Sequence, residues 1–67
     1  MTQRNQILAH LKAGKTITPL EALREYGTLR LGARIFELKQ DGHNITKRMV
    51  EVETRDGLAH VAEYRLV

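Results

Sequence analysis

Arg30 and Arg34 are the two side chains whose type and spacing best suit recognition of a ligand. A separation of four residues places both on the same side of a helix. A planar guanidinium group can donate two hydrogen bonds at once, to O6 and to N7 of the same guanine. The alternative is an ordinary solvated helix face, on which Arg34 pairs with Glu37 three residues further on. The spacing therefore indicates either contact with DNA bases or plain surface charge.

A second group of cations lies in the last third of the chain, where Lys47 and Arg48 are adjacent and Arg55 follows. Cationic side chains neutralise nucleic-acid phosphates, so Lys47 and Arg48 are candidate phosphate contacts, with plain surface charge as the alternative. Residues 1–48 hold nine Lys/Arg and four Asp/Glu, a balance of +5, whereas residues 49–67 hold two and four, a balance of −2. An uneven basic surface suits polyanions, and it also occurs on small domains for solubility alone.

Residues able to act in catalysis or bind a metal are scattered along the chain. There are three histidines and no cysteine, and His10, His43 and His60 lack the i, i+4 spacing of metal ligands. The threonines have no neighbouring histidine and acid arranged for nucleophilic attack, and no glycine-rich phosphate loop is present. The sequence therefore predicts no enzyme activity, metal, cofactor or small-molecule ligand, and surface or turn positions for the histidines.

Length and composition limit the possible architectures. At 67 residues the chain is expected to form one domain, residues 1–67, with a small core and no disulfide bond to support it. No apolar run approaches the roughly 20 residues that cross a bilayer, and the first residues lack the apolar segment of a signal peptide. We therefore expect a cytoplasmic protein without membrane contact, for which dimerisation is one route to added stability.

The two arginines lie in a stretch that predicts a helix over about residues 29–41. At about 100° per residue its apolar side chains fall on one arc, which is expected to be buried, and the others fall on an outer arc. The apolar arc holds Leu29, Leu31, Ile35, Phe36 and Leu38. The outer arc holds Arg30, Ala33, Arg34 and Glu37.

Both ends of this helix carry signals. Thr28 is the predicted N-cap, because its hydroxyl can accept from a first-turn N–H, and Gly42 suits the left-handed residue that follows a helix. Gly32 lies inside, where glycine costs about 1 kcal/mol relative to alanine. That cost indicates close approach of a backbone or a ligand, or else a surface position of no consequence.

A first helix is predicted over about residues 3–13, from the helical spacing of Ile7, Leu8 and Leu11. The segment that follows is too short for a strand of its own. It could add a short edge to a later hairpin, and Ile17 would then point inward. The chain would thus return to the core before its second helix begins.

The second helix is predicted over about residues 19–26. Thr18 and Glu21 have the spacing of a capping box, and Pro19 suits the first helical position because its missing N–H would be unpaired there. Gly27 is the expected end. Only two residues separate this helix from the next, so the two helices must cross steeply.

After Gly42 the apolar period becomes nearer two, which predicts an antiparallel hairpin over about residues 44–66 with its turn at Asp56-Gly57. The alternation is imperfect in the first strand, so a bulge is expected near residues 47–50. In the second strand Val61 faces one side. The other side is shared by Leu58, His60, Ala62, Tyr64 and Leu66.

These elements are expected to share one core. Its predicted members are Leu8, Leu11, Ile17, Leu20, Leu23, Leu31, Ile35, Leu38, Ile45, Val61 and Tyr64. Because so short a chain supplies few such residues, each should matter strongly to stability.

The element order is helix, short strand, helix, tight turn, helix and hairpin. Its features are carried by Ile7, Leu8, Leu11, Thr18, Glu21, Ala22, Gly27, Leu31, Arg34, Ile35, Glu37, Leu38, Gly42, Ile45, Tyr64, Arg65 and Leu66. Over about residues 4–66 this order resembles the winged helix-turn-helix domains, specifically the small ones common in bacteriophages and prophages. The resemblance implies an α+β fold of three helices, a short strand and a C-terminal antiparallel β-hairpin, the wing.

In such families the third helix enters the DNA major groove, and the wing touches the flanking backbone or minor groove. The resemblance therefore implies double-stranded DNA as the partner. The implied contacts are Thr28, Arg30, Ala33, Arg34 and Glu37 in the helix, with Lys47, Arg48 and Arg55 in the wing. Glu37 would place an acid on the recognition face, where it could accept from a cytosine amino group.

Two hypotheses about function follow. The first is sequence-specific DNA binding by a phage or prophage transcription regulator that performs no chemistry. The alternative is a winged-helix module that binds protein, or that docks a phage recombination or packaging assembly onto DNA. Arg30 and Arg34 favour the first hypothesis, and the acidic wing favours the second. Because one helix and one wing cover only a short site, a homodimer on DNA is also expected, formed through the first helix or the hairpin edge.

Overall fold

The computed structural model describes residues 2–67. They form α1 (Gln3–Lys12), α2 (Pro19–Tyr26), α3 (Leu31–Gln40), β1 (Ile45–Thr54) and β2 (Gly57–Leu66). The strands pair antiparallel, and the helices pack against one end of the hairpin. The predicted α+β arrangement of three helices followed by a hairpin is confirmed.

The start of α2 is closed by its own side chains. Thr18 Oγ1 accepts from the Glu21 N–H at 3.3 Å, and the Glu21 carboxylate accepts from the Thr18 N–H at 3.2 Å. The predicted capping box is therefore confirmed, with Pro19 as the first helical residue. Gly27 ends the helix at a φ of 70°, a left-handed conformation that glycine adopts without strain.

The start of α3 differs from the prediction. The helix begins at Leu31, so Thr28 is not its N-cap. Thr28 is instead buried, and its Oγ1 accepts from the Arg30 N–H at 3.1 Å, which stabilises the turn between the helices. Arg30 takes the N-cap position without a side-chain hydrogen bond. The far end is as predicted, because Gly42 has a φ of 96° and its N–H donates to the Lys39 carbonyl at 3.1 Å.

The core lies between the three helices and the base of the hairpin. Its buried members are Ile7, Leu11, Ile17, Ala22, Leu31, Ile35, Leu38 and Ile45. All but Ile7 and Ala22 belong to the predicted set. Leu8 and Tyr64, which also belong to it, are partly buried against the core.

Three predicted core residues lie elsewhere. Leu20 and Leu23 are exposed on α2, because that helix turns its small Ala22 towards its neighbours instead. A small residue at a helix crossing permits close approach, and the leucines are then left outside. Val61 is half-buried opposite Val50 on the face of the hairpin away from the core.

The hairpin is a regular ribbon. Its register runs without interruption from Ile45 opposite Leu66 to Thr54 opposite Gly57, so the predicted bulge near residues 47–50 is wrong. The apolar residues change face along β1 because its outer half is exposed on both sides. Because neither face of that half is buried, apolar residues can occupy both faces without a bulge.

The hairpin turn and the pairing of Ile17 with the hairpin are close to prediction. Ile17 bonds to Tyr64 through two backbone hydrogen bonds of 3.0 and 2.8 Å and is buried, as expected. Arg55 and Asp56 form the tip of the hairpin, and only Gly57, with a φ of 124°, has a positive φ there. The turn therefore lies where it was predicted, but Asp56 does not use the left-handed conformation.

His10 connects α1 to α2 and is half-buried, so its predicted surface position is wrong. A carbonyl can only accept, so His10 Nε2 carries a hydrogen and donates to the Thr16 carbonyl at 2.8 Å, and His10 Nδ1 forms a 2.7 Å hydrogen bond with the Tyr26 hydroxyl. Burial raises the pKa of the Tyr26 hydroxyl, and the carboxylates of Glu25 and Glu21 add to the rise.

Candidate nucleic-acid interface

The solvent face of α3 differs from the predicted outer arc. Gly32, Phe36 and Gln40 lie outside the side that carries the buried leucines and isoleucine, and all three are exposed. Phe36 is 60% exposed, although its apolar type predicted burial. The three residues recur every four positions and so form a line along the helix. We call Gly32, Phe36 and Gln40 the α3 stripe.

The predicted outer arc is half-buried except at Arg30, which is exposed. Ala33, Arg34 and Glu37 all have intermediate exposure. Arg34 Nη2 lies 3.4 Å from Glu37 Oε2, so the ion pair considered as an alternative is present. Arg34 Nε is buried and has no hydrogen-bond partner among residues 2–67. The guanidinium is therefore held against the protein, and Leu29, predicted on the buried arc, lies exposed in the preceding turn.

Two exposed cations stand at the ends of α3. Within the described part of the chain, neither Arg30 nor Lys39 has a carboxylate within 4.0 Å. The first turn contains no acidic residue, and no side chain caps it. Since a helix N-terminus carries a partial positive charge, this end of α3 is electropositive and open.

Gly32 leaves the first turn of α3 accessible. A Cβ placed there would meet no atom within 4 Å. No described backbone approaches it, so packing against the protein does not explain the glycine. The first-turn backbone next to Arg30 is instead open to solvent.

The structure separates the two predicted phosphate contacts of the hairpin. Lys47 and Arg48 lie on opposite faces, because consecutive residues of a strand alternate. Lys47 shares its face with Tyr64, whereas Arg48 Nη2 contacts Glu63 Oε1 at 2.8 Å. The charge of Arg48 is thus compensated within the hairpin, and Arg55 is exposed at the tip.

A family model described as a winged helix-turn-helix domain matches residues 2–67. The chain belongs to the winged helix-turn-helix domains. Searches of curated proteins and of solved structures return no match. Winged helix-turn-helix domains typically bind DNA and are not enzymes, so membership suggests DNA as the partner.

In this winged helix-turn-helix domain, α2 and α3 form the motif and the hairpin forms the wing. None of the helices of residues 2–67 is long and apolar enough to span a membrane. Over the same residues, no three His, Cys, Asp or Glu side chains come together as a metal-binding group.

The sequence prediction missed the α3 stripe of this winged helix-turn-helix domain because it grouped every apolar residue on the buried side. The spacing of Leu31, Ile35 and Leu38 defines the core-facing side without any contribution from Phe36. With that side fixed, Phe36 and Gln40 fall outside it at about 100° per residue. The spacing of the three branched side chains therefore indicates that Phe36 is exposed, but it does not distinguish the stripe from Ala33 and Glu37, which are half-buried.

Proposed function

We propose that this domain binds double-stranded DNA in a sequence-dependent manner, with α3 in the major groove. The observation that carries the proposal is the exposed α3 stripe, which is flanked by Arg30 and Lys39. Gly32 permits close approach of the DNA, and Phe36 can contact a thymine methyl group. Gln40 can form two hydrogen bonds with one adenine, at N6 and at N7. We therefore expect A·T pairs beneath the stripe.

Backbone contacts would frame these base contacts. The uncapped start of α3 favours an anion, and Arg30 stands beside it, so we assign Arg30 and the first-turn N–H groups to one phosphate. Lys39 would contact a phosphate at the far end of the helix, and Arg55 would do so at the wing tip. Thr28 is left out because its side chain is buried.

The ion pair of Arg34 and Glu37 borders the stripe. At partial exposure such an i, i+3 pair is worth only a few tenths of a kcal/mol, so a base pair can compete with it. Opening the pair would free Arg34 for a guanine and Glu37 for a cytosine amino group, with Ala33 leaving room between them. These two residues would then specify the bases next to the A·T pairs.

In the cell we propose a transcription regulator of the phage or prophage type. It would act in the cytoplasm by occupying its site, as a homodimer on neighbouring half-sites. This part of the proposal rests on the resemblance of the chain to small phage domains and on the short reach of one helix and one wing.

Protein binding is the second candidate function. Leu20 and Leu23 are both exposed on α2 and lie three residues apart, on one side of the helix. Exposed apolar side chains that lie together can form part of a surface that binds another protein. This function would use α2 in place of α3.

Selection from a randomised duplex pool, followed by titration of the enriched duplex, tests the proposal. Phe36 and Leu20 are both 60% exposed, so Phe36→Ala and Leu20→Ala form a matched pair. We expect Phe36→Ala to lower affinity several-fold and to lose preference for one thymine, and Leu20→Ala to bind as the parent does. Gln40→Ala should cost about 1–3 kcal/mol at one adenine.

Failure of the parent to enrich any sequence would overturn sequence-dependent binding. Parental affinity in both stripe variants would move the DNA contact away from α3. If instead Leu20→Ala removed DNA-independent capture of a partner protein, the second candidate would take precedence.

A further inference from the structure

The outer edge of β1 has no strand beside it. β1 pairs with β2 on its other side only, whereas Ile17 covers part of the far edge of β2 by pairing with Tyr64. From position 46 to position 54 every residue of β1 is exposed except Val50, which is half-buried. An exposed strand edge of this length is a template for pairing with another strand.

The hydrogen bonds identify which backbone groups point out of this edge. Tyr64 uses both its N–H and its carbonyl to bond Ile17, so these groups point away from β1. Lys47 is directly opposite Tyr64. In an antiparallel pair such residues form a non-hydrogen-bonded pair, so the N–H and carbonyl of Lys47 point away from β2. The alternation repeats at Met49 and Glu51, whose backbone groups also point outward.

Charge along this edge changes sign at its middle. Lys47 and Arg48 precede Met49, and Glu51 and Glu53 follow it. A second copy of the same strand in antiparallel orientation places its acidic half against the basic half of the first. The edge is thus complementary to itself under a two-fold rotation.

We propose that two copies of this chain pair through their β1 edges around a two-fold axis at Met49. Lys47 of each copy then lies opposite Glu51 of the other, and the two hairpins form one four-stranded sheet. The outward backbone groups of Lys47, Met49 and Glu51 supply the hydrogen bonds between the copies. Opposite charges that face each other across paired strands add to this stabilisation.

The exposed side chains favour this register over its neighbour. Met49 is 56% exposed and would be covered by the Met49 of the second copy. A shift of two residues would set Met49 against Glu51, an apolar group against a charge. The free part of the β2 edge is a poorer surface for a second copy because it lacks charges of both signs. Next to Leu58 and Ala62 it carries only His60 as a titratable group, and His60 already contacts Glu51 at 3.3 Å.

Helix α1 offers less to a second copy than the β1 edge does. Its exposed side chains include Gln3, Asn5 and Lys12, and the one exposed apolar side chain within α1 is Ala9. Such a surface has little apolar area to bury. Of the two dimer surfaces that the sequence suggested, the hairpin edge is therefore the one we choose.

The use of this dimer on DNA rests on the proposed function. In the assigned register the two Ile45 residues lie eight positions apart along the sheet, which is about 27 Å at about 3.4 Å per residue. The three helices of each copy pack at this end of its hairpin and would lie outward from these points. The two recognition helices would thus be spaced on the scale of one DNA turn, about 34–36 Å. Lys47 is accordingly assigned to the dimer, not to a phosphate.

Sedimentation equilibrium of the free protein, from micromolar to millimolar concentration, tests the pairing without DNA. Lys47→Glu and Glu51→Lys should each raise the dimer dissociation constant about tenfold, because two attractive pairs become repulsive. The Lys47→Glu/Glu51→Lys double variant should return towards the parent value. Lys12→Glu, an equal change of charge on α1, should leave the constant unchanged.

Oxidative crosslinking tests the register. The chain has no cysteine, so Met49→Cys introduces a single thiol at the axis, where a Cα separation of about 5.5 Å allows a disulfide. Glu53→Cys, on the same face of the same strand, would place its thiols far apart. Rapid crosslinking of Met49→Cys alone supports the proposal.

A monomeric parent at millimolar concentration, a dimer that ignores both charge reversals, or equal crosslinking of the two cysteine variants would each overturn the pairing. DNA binding is measured separately on duplexes, so its failure and the failure of the dimer remain distinguishable. Far-UV circular dichroism checks whether each variant is folded.

Discussion

The two helices of the motif begin in opposite ways. At α2, Thr18 and Glu21 satisfy the first-turn donors, and Pro19 removes one donor altogether. At α3 no side chain caps the first turn, no acid lies in it, and Arg30 occupies the N-cap position. The chain therefore satisfies the start of α2 internally and leaves the start of α3 available to an external anion.

The helices also bury different kinds of side chain. α2 packs through Ala22 and leaves two leucines outside, whereas α3 packs through Leu31, Ile35 and Leu38 and exposes Phe36. The difference separates two tasks. α2 is held by a cap and a close crossing, and α3 is anchored by large apolar groups so that its opposite face can remain free.

The anchoring of α3 should give the largest effect. Ile35→Ala removes a buried branched side chain and should lower the free energy of unfolding by about 2–5 kcal/mol, comparable to the whole stability of so small a domain. Phe36→Ala, one position along, should change it by less than about 0.5 kcal/mol. Urea denaturation followed by circular dichroism measures both. Equal losses would mean that α3 is rotated relative to the structure.

The open start of α3 should matter next, and only when DNA is present. Arg30→Ala should weaken DNA binding by about 1–3 kcal/mol without lowering the stability of the fold. The slope of log affinity against log salt should fall by about the amount that one phosphate contact contributes. Arg24→Ala provides the control, because Arg24 is likewise an exposed arginine but lies on α2. Equal losses for the two variants would remove the distinction between the helices.

The outcome of sequence reasoning follows the same division. The start of α2 was predictable because Thr18, Pro19 and Glu21 act on one another within four residues. The start of α3 was not, because Thr28 has the type of an N-cap but is drawn into the core by the crossing of two helices. That burial depends on tertiary packing, which local spacing does not contain.

The same limit applies to the candidate site. Leu20 and Leu23 resemble core residues by type, yet the small Ala22 determines which side of α2 packs. Phe36 was placed inside by type and lies outside by geometry. The position of the hairpin turn, in contrast, followed from its turn signal, but the uninterrupted register did not, because the imperfect alternation of β1 predicted a bulge that is absent.

The closed start of α2 should give a smaller effect than either change at α3. Thr18→Ala removes the acceptor for the Glu21 N–H and should lower stability by about 1 kcal/mol. Because this cap faces no ligand, the affinity of the folded fraction for DNA should not change. Thermal unfolding combined with a titration below the melting temperature separates the two quantities. A loss of affinity without a loss of stability would show that α2 also contacts DNA.

The end of α2 should respond to alkaline pH. Burial, together with Glu25 and Glu21, raises the folded-state pKa of Tyr26 above its ordinary value. A raised folded pKa means that the neutral hydroxyl stabilises the fold below about pH 10, and that this contribution is lost as pH rises through the folded pKa. Tyr26→Phe should remove this loss of stability at high pH. At neutral pH it should lower the free energy of unfolding by about 1 kcal/mol, because the hydrogen bond to His10 is lost. Parallel stability profiles for variant and parent would contradict this assignment.

The ion pair on the flank of α3 should give the smallest change in stability and the most informative change in binding. Glu37→Gln removes a partly exposed i, i+3 partner of Arg34, so the fold should lose only a few tenths of a kcal/mol. The outcome on DNA then depends on what Glu37 faces. If Glu37 faces phosphates, affinity for all duplexes should rise, because an acid near the backbone has been neutralised. If Glu37 accepts from a cytosine amino group, preference should shift at one base pair while the affinity for unrelated duplexes changes little. Titrations with the selected duplex and a scrambled one distinguish these cases. Unchanged binding to both duplexes would place this flank of α3 outside the groove and leave the α3 stripe as the sole recognition surface of the helix.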